Sequence, residues 1–187
     1  MKNVVLTLLL LVFVAASPAS AQRPGSIGLY TDETRTQSCI TGVGFYPAQM
    51  WVWCLPGENG QICAEFGVVH PPNVIESTIY KNGPIISVDM GDITGGGWSV
   101  CFSGCHYEWL WLAWQQIYIT DPTPGWTEII KHSDPDIACV QAANCLPGYP
   151  LECMTVLTKY GVNQECPPEN PIGVEETNWG AIKSLYR

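Results

Sequence analysis

Basic residues are scarce in this 187-residue chain: eight Lys and Arg stand against seventeen Asp and Glu, a formal net charge of −9. No cluster of Lys or Arg occurs anywhere, so the chain lacks the electrostatic footprint that nucleic acid or an anionic membrane surface requires. Charge of either sign is sparse, at 13% of residues against about 25% in ordinary domains. Histidine occurs three times and Phe four times. Gly95-Gly96-Gly97 is the one glycine run, and it leads into Trp98-Ser99 rather than the Lys-Ser/Thr of a phosphate-cradling loop. No strand–helix alternation and no internal repeat is visible, which removes α/β folds and solenoids.

What is present begins with a leader. Lys2 precedes an apolar run from Val4 to Ala16, and Ala19-Ser20-Ala21 follows it. These are the charge, apolar core and cleavage site of a secretory signal peptide. The run holds thirteen residues, short of the roughly 20 needed to span a bilayer. The expected organisation is a leader over 1–21, a folded domain over 22–166, and a Pro-rich linker with a C-terminal tail over 167–187. The mature protein is expected to be secreted, at the cell surface or in the periplasm, with no membrane insertion after signal cleavage.

All nine cysteines, at 39, 54, 63, 101, 105, 139, 145, 153 and 166, fall in the mature part. Export makes disulfides their expected state, and the odd count leaves one thiol unpaired or shared with another chain. Cys101-x-x-x-Cys105-His106 is the best case for zinc, but no second compact pair with His accompanies it. No metal and no cofactor is therefore expected. The clearest pairing candidate is Cys54 with Cys63. They bracket Leu55–Ile62, where Pro56-Gly57 and Asn59-Gly60 favour tight reversal, so Met50–Cys54 and Cys63–Val69 are expected to run antiparallel. Opposed β-carbons would then lie near disulfide separation. The alternative is that the two cysteines point to different faces and pair elsewhere.

Short apolar stretches recur between turn-forming clusters such as Pro71-Pro72-Asn73, Asn82-Gly83-Pro84 and Asp121–Gly125. About ten short strands at this spacing, Ile137–Val140 among them, predict an all-β fold, an antiparallel β-sandwich or barrel. Ile62–Val69 alternates Ile62, Ala64, Phe66 and Val68 against Cys63, Glu65, Gly67 and Val69. Trp109–Thr120 is apolar on both faces, which predicts a central strand covered on both sides; a helix is the alternative, and Ile117-Tyr118-Ile119-Thr120 favours strand. Thr177 can cap a short C-terminal helix holding Trp179, Ile182, Leu185 and Tyr186. Trp179 and Tyr186 would dock this tail on the domain, or the tail would serve as a sorting tag.

No catalytic constellation is legible. Ser99 and Ser103 lack the glycine frame of a nucleophile elbow, and His70, His106 and His132 lie in loop-like surroundings. Asp32-Glu33, Asp89-x-x-Asp92 and Asp134-x-Asp136 are the acidic pairs, and none has a calcium-loop pattern. The aromatics stand out instead. Trp51 and Trp53 share one strand face, as do Trp109 and Trp111. Such rings either fill a core poor in Phe or form a binding face for a protein or glycan partner.

The segments Cys63-Ala64-Glu65-Phe66, Ala143–Pro150 and Glu176–Arg187, the last carrying Trp179-Gly180-x-x-Lys183, together resemble a group of uncharacterised secreted bacterial proteins. That resemblance implies a cysteine-rich exported β-sandwich and brings no activity. At fold level the pattern also resembles cohesin-like jelly rolls, modules of extracellular assemblies. The expected function is a non-enzymatic exported sandwich with a structural, adhesion or protein-interaction role. The alternatives are a carbohydrate-binding module using paired exposed tryptophans and, last, an exported hydrolase.

Overall fold

The computed structural model describes residues 24–42 and 46–164. The expected leader and the C-terminal tail with Trp179 and Tyr186 lie outside the described residues. Thirteen strands occur in chain order: β1 Ser26–Tyr30, β2 Cys39–Ile40, β3 Tyr46–Leu55, β4 Gln61–Val69, β5 Val74–Lys81, β6 Ile86–Asp92, β7 Gly97–His106, β8 Leu110–Ile119, β9 Gly125–Ile130, β10 Gln141–Ala143, β11 Leu151–Cys153, β12 Thr155–Thr158 and β13 Tyr160–Val162. No helix occurs among the described residues.

The strands form two sheets. One has the order β12-β1-β3-β8-β5, antiparallel except where β1 and β12 run parallel. The other is built on β4, which pairs with β7, β9 and β10; β6 extends it beyond β7, and β11, β13 and β2 complete it. Their inner faces share one core: Ile27, Leu29, Met50, Val52, Leu112 and Ile117 meet Ala64, Phe66, Val68, Trp98, Val100 and Phe102. This is the all-β sandwich that the strand–turn rhythm predicts.

Alternation sets which residues reach that core. In β4 most of the predicted even-numbered set does so: Ala64, Phe66 and Val68 are buried and Cys63 and Glu65 half-buried, but Ile62, at the register shift between Gln61 and Cys63, is only half-buried and Gly67 is buried. In β8 the period breaks. Val52 pairs with Ala113 and Trp53 with Trp111, so a bulge at Leu112 shifts the phase. Trp111 before the bulge and Trp114 after it therefore lie on the same outer face, while Leu112 and Ala113 both reach the core. The dual apolar character of this strand has two causes, its central position and its bulge.

Two expectations fail here. Ile137–Val140 is not a strand, because Asp134 holds a turn: its side chain accepts from Asp136 N and its carbonyl from Ile137 N. Pairing resumes at β10. More consequentially, β3 and β4 are not a hairpin. They belong to different sheets, and residues 56–60 form an arch between them, with Gly60 N donating to Gly57 O and Gly60 at φ +69°.

The Cys54–Cys63 bridge is corrected with it. Cys54 points into the core and is a free thiol, donating to Gln61 Oε1 at 2.9 Å. Cys63 sits in the other sheet and bonds to Cys101 across the β4–β7 pair. The other observed bridges are Cys105–Cys145 and Cys139–Cys153, and Cys39 is disulfide-bonded as well. Turn formers between two cysteines do not distinguish a hairpin from an arch.

Candidate interaction surface

The face of the five-stranded sheet turned away from the core is covered by aromatic rings. Register assembles them. Tyr30 of β1 pairs with Trp51 of β3, Trp51 with Trp114 of β8, and Trp114 with Tyr80 of β5. Four aromatic side chains thus stand in one row across four strands. A second row sets Gly28, Trp53 and Trp111 side by side. Trp109 closes the layer against Tyr30, with ring centroids 6.4 Å apart. The four tryptophans singled out as a candidate binding face or core filling, Trp51, Trp53, Trp109 and Trp111, therefore lie in one cluster, distinct from the core between the sheets.

The layer holds itself together by ring contacts. Tyr80 stacks on Trp114 at 3.9 Å, Trp51 tilts against Trp114 at 6.0 Å and meets Trp111 edge-on at 5.8 Å. Each such pair adds about 0.5–1.5 kcal/mol beyond its area burial. Exposure is graded across the layer: Tyr30 at 1%, Trp51 at 7% and Trp53 at 9% form its floor, and Tyr80 at 46% lies at its rim. Gly28 is part of the construction, because a β-carbon there would stand 2.7 Å from the Tyr30 hydroxyl.

One cation is inserted. Arg35 sits in the loop between β1 and β2 with its guanidinium carbon 4.4 Å from the Trp53 ring and 4.9 Å from the Trp109 ring. The loop that presents it is tightly organised. Asp32 accepts from the Thr34 hydroxyl at 2.6 Å, the Thr36 amide at 3.2 Å and the Thr36 hydroxyl at 3.0 Å. Thr31 N donates to Gln37 O and closes the turn. Burial alone would raise the Asp32 pKa, but hydrogen bonds from Thr34 and Thr36 outweigh it and hold the carboxyl below its ordinary value. Arg35 itself has φ +61°, a left-handed backbone that side-chain-bearing residues adopt only when the surroundings hold them there. Nothing in the sequence singled out Arg35; its neighbours Asp32, Thr34 and Thr36 were the available signal.

The other candidates are dispersed. His70 bonds through Nδ1 to the Thr127 hydroxyl at 2.9 Å, and its Nε2 lies 3.9 Å from Glu76. Burial lowers its pKa, against the raising effects of Glu76 and Gln115. It stands in a loop, as expected, yet its side chain is buried. His106 packs edge-on against Phe102, and His132 Nδ1 accepts from Asp134 N. Ser99 donates to Glu65 at 2.9 Å. The acidic pairs hold local structure: Asp89 pairs with Lys81 and accepts from Trp98, Asp92 accepts from Thr94, and Asp134 holds its turn. Among the described residues no group of three or more His, Cys, Asp or Glu could hold a metal ion.

No family model matches the chain, and no curated protein matches it. Solved structures do. The chain is similar to the sixth cohesin of scaffoldin B from Acetivibrio cellulolyticus, solved in complex with a Cel5 dockerin mutant, with a TM-score of 0.51 at 13% identity over 76% of this chain and 99% of that one. It is similar to a cohesin module of a family 33 glycoside hydrolase from Clostridium perfringens, with a TM-score of 0.51 at 10% identity over 76% and 99%. A type II cohesin domain from the A. cellulolyticus cellulosome gives 0.50 at 10% over 75% and 95%. At such identities the likeness is one of fold: a cohesin-like β-sandwich.

Proposed function

We propose that this chain is an exported, non-enzymatic interaction module that holds another protein on the aromatic face of its five-stranded sheet. One observation carries the reading. A face that a sandwich ordinarily leaves polar and solvated instead bears Tyr30, Trp51, Trp53, Trp109, Trp111, Trp114 and Tyr80 as one layer. Packing alone is a poor account of that choice. The buried indole N–H groups of Trp51 and Trp53 have no hydrogen-bond partner among the described residues, and Phe or Leu would fill the same space without that cost. Aromatic residues ringed by polar ones are the composition of protein contact surfaces. The cohesin of scaffoldin B, similar in fold, is a protein that engages a dockerin; fold likeness by itself assigns no partner here.

The carbohydrate reading loses ground on geometry. A sugar ring stacks on an open aromatic face. Here several faces are already engaged: Tyr80 stacks on Trp114, Trp51 and Trp53 lean on each other at 30°, and Arg35 lies over Trp53 and Trp109.

The test is site-specific photocrosslinking in the source cells, with a benzoylphenylalanine placed at Tyr80 and, as control, at Val88 on the other sheet. A discrete protein adduct from the Tyr80 position that is absent from the Val88 position supports the reading. Adducts at neither position, or glycan binding that disappears in Trp111→Ala, would reject it.

A further inference from the structure

The cation in the aromatic layer is unusual in what it lacks. Four Lys or Arg side chains are described: Arg35, Lys81, Lys131 and Lys159. Lys81 pairs with Asp89, Lys159 with Glu128, and Lys131 donates to the Ile137 carbonyl at 2.7 Å. Arg35 has no carboxylate partner among the described residues, although Asp32 and Glu33 lie three and two residues away in sequence. Asp32 is committed to Thr34 and Thr36, and Glu33 meets Arg35 only through its carbonyl, at 3.4 Å from an Arg35 terminal nitrogen.

The stereochemistry of the clamp decides what remains available. Trp53 and Trp109 both lie close to the guanidinium carbon. Both rings attract the cation through their faces, and neither offers its N–H donors an oxygen acceptor. A guanidinium has five such donors in a fixed fork, and the structure gives one of them a single long contact. Half-buried among indoles, this fork is partly stripped of water, the condition in which a bidentate carboxylate contact is strongest. The backbone is held in its left-handed conformation at this residue, and the Asp32 network fixes the loop on either side. Both features orient the side chain before anything binds.

We infer that Arg35, held between Trp53 and Trp109, is a receptor for a carboxylate side chain on the partner protein, an Asp or Glu flanked by apolar residues that rest on the aromatic layer. The inference rests on the proposed protein-binding role of this face and names the chemistry of its partner. The charge arithmetic gives it selectivity. In a chain of net charge −9, an acidic segment is repelled from most of the surface, so one unpaired guanidinium fixes both its position and its register. A protein carboxylate fits better than a uronic acid, because Arg35 itself lies over Trp53 and Trp109 and Tyr80 stacks on Trp114, which engages ring faces a sugar would use.

The experiment uses the intact protein and two synthetic pentapeptides, acetyl-Gly-Leu-Glu-Leu-Gly-amide and its Gln counterpart, followed by NMR at the Arg35 Nε–H and the Trp53 and Trp109 indole N–H signals. The Glu peptide should move all three signals, and bind about tenfold more tightly than the Gln peptide, the factor a charge-assisted fork is expected to supply. In Arg35→Gln that preference should vanish. In Arg35→Lys, which keeps the charge and the stem but not the fork, most of it should be lost, and unchanged near-ultraviolet circular dichroism certifies the fold of each variant. Equal affinity for the two peptides, no response of the Arg35 signal to either, or a Glu preference that survives in Arg35→Gln would overturn the inference. So would tighter binding of oligogalacturonate than of the Glu peptide, which would make the site a glycan receptor. The Tyr80 crosslink separates the two claims. If it persists undiminished in Arg35→Gln, the face binds protein without this carboxylate and only the present inference falls; if no crosslink forms in the wild-type chain, the parent reading falls.

Discussion

At the scale of single residues, the loop between β1 and β2 shows how polar chemistry places an aromatic contact. Asp32 accepts from two threonine hydroxyls and from the Thr36 amide, and these bonds shape the turn on which Arg35 projects. Their effect on pH follows from the sign of the shift. The folded carboxyl is held below its ordinary value of 3.8, so its contribution is complete above that value and is lost as pH falls through the lower folded one. Amide exchange at Thr36 should therefore accelerate below pH 3.8 relative to exchange in the core strands, and in Asp32→Asn it should be fast at neutral pH as well. Exchange at Thr36 that follows only the intrinsic acid dependence of a free amide would remove Asp32 from this role. Cys54 illustrates the opposite case, a polar atom placed where nothing happens. Burial pushes its thiol pKa up to about 12, with a partial offset from the Gln61 hydrogen bond, so it is neither a nucleophile nor an exchange partner at neutral pH.

Strands are the scale at which the sequence was most readable and also where reading it stopped. Val74–Lys81 is a strand with the bounds expected from its turn signals, and β4 buries Ala64, Phe66 and Val68 of the alternate set predicted for it. Fold class was legible because strand–turn rhythm is local. Register is not local. The row Tyr30, Trp51, Trp114 and Tyr80 joins residues from four separate strands, and only the pairing of β1, β3, β8 and β5 aligns them. The Trp pairs on β3 and at the start of β8 could be read as sharing a face, but the bulge at Leu112 that adds Trp114 to it carries no sequence mark. The arch between β3 and β4 was misread because turn chemistry states that the chain reverses, not which sheet it enters. Position within the layer then predicts distinct mutational costs. Trp51→Ala, at the floor, should lower stability by about 3–5 kcal/mol, the range for burying and then deleting a large ring. Tyr80→Ala, at the rim, should cost about 1 kcal/mol, the value of one stacked pair. Urea melts followed by tryptophan fluorescence measure both; equal losses would mean that the layer is not graded and that Tyr80 is a structural rather than a contact residue.

Across the whole molecule the two sheets divide the work. The five-stranded sheet carries the aromatic layer, while Cys63–Cys101, Cys105–Cys145 and Cys139–Cys153 all staple strands and loops of the other sheet. That sheet needs them. β10 and β11 have three residues each and β2 has two, too short to hold by ladder hydrogen bonds alone. The bridges span 38, 40 and 14 residues in sequence. On the chain-entropy account the two long ones restrict the unfolded chain by about 4 kcal/mol each and the short one by about 3 kcal/mol. Even partly additive, these are comparable with the whole stability of a domain, roughly 5–15 kcal/mol. Removal of single bridges should therefore rank by span: Cys139→Ala with Cys153→Ala should lower the melting temperature less than Cys63→Ala with Cys101→Ala. The second pair also tests the corrected connectivity. If Cys63 were bonded to Cys54, the free thiol of these three in the wild-type chain would be Cys101 and removal of Cys63 would newly free Cys54, whereas the observed pairing leaves Cys54 as the buried, unreactive thiol in the wild-type chain and in every variant. Iodoacetamide labelling of the folded double variant should leave Cys54 unmodified until denaturant is added. Rapid labelling of Cys54 in the folded state would contradict its burial against Gln61, and with it the assignment of β3 and β4 to separate sheets.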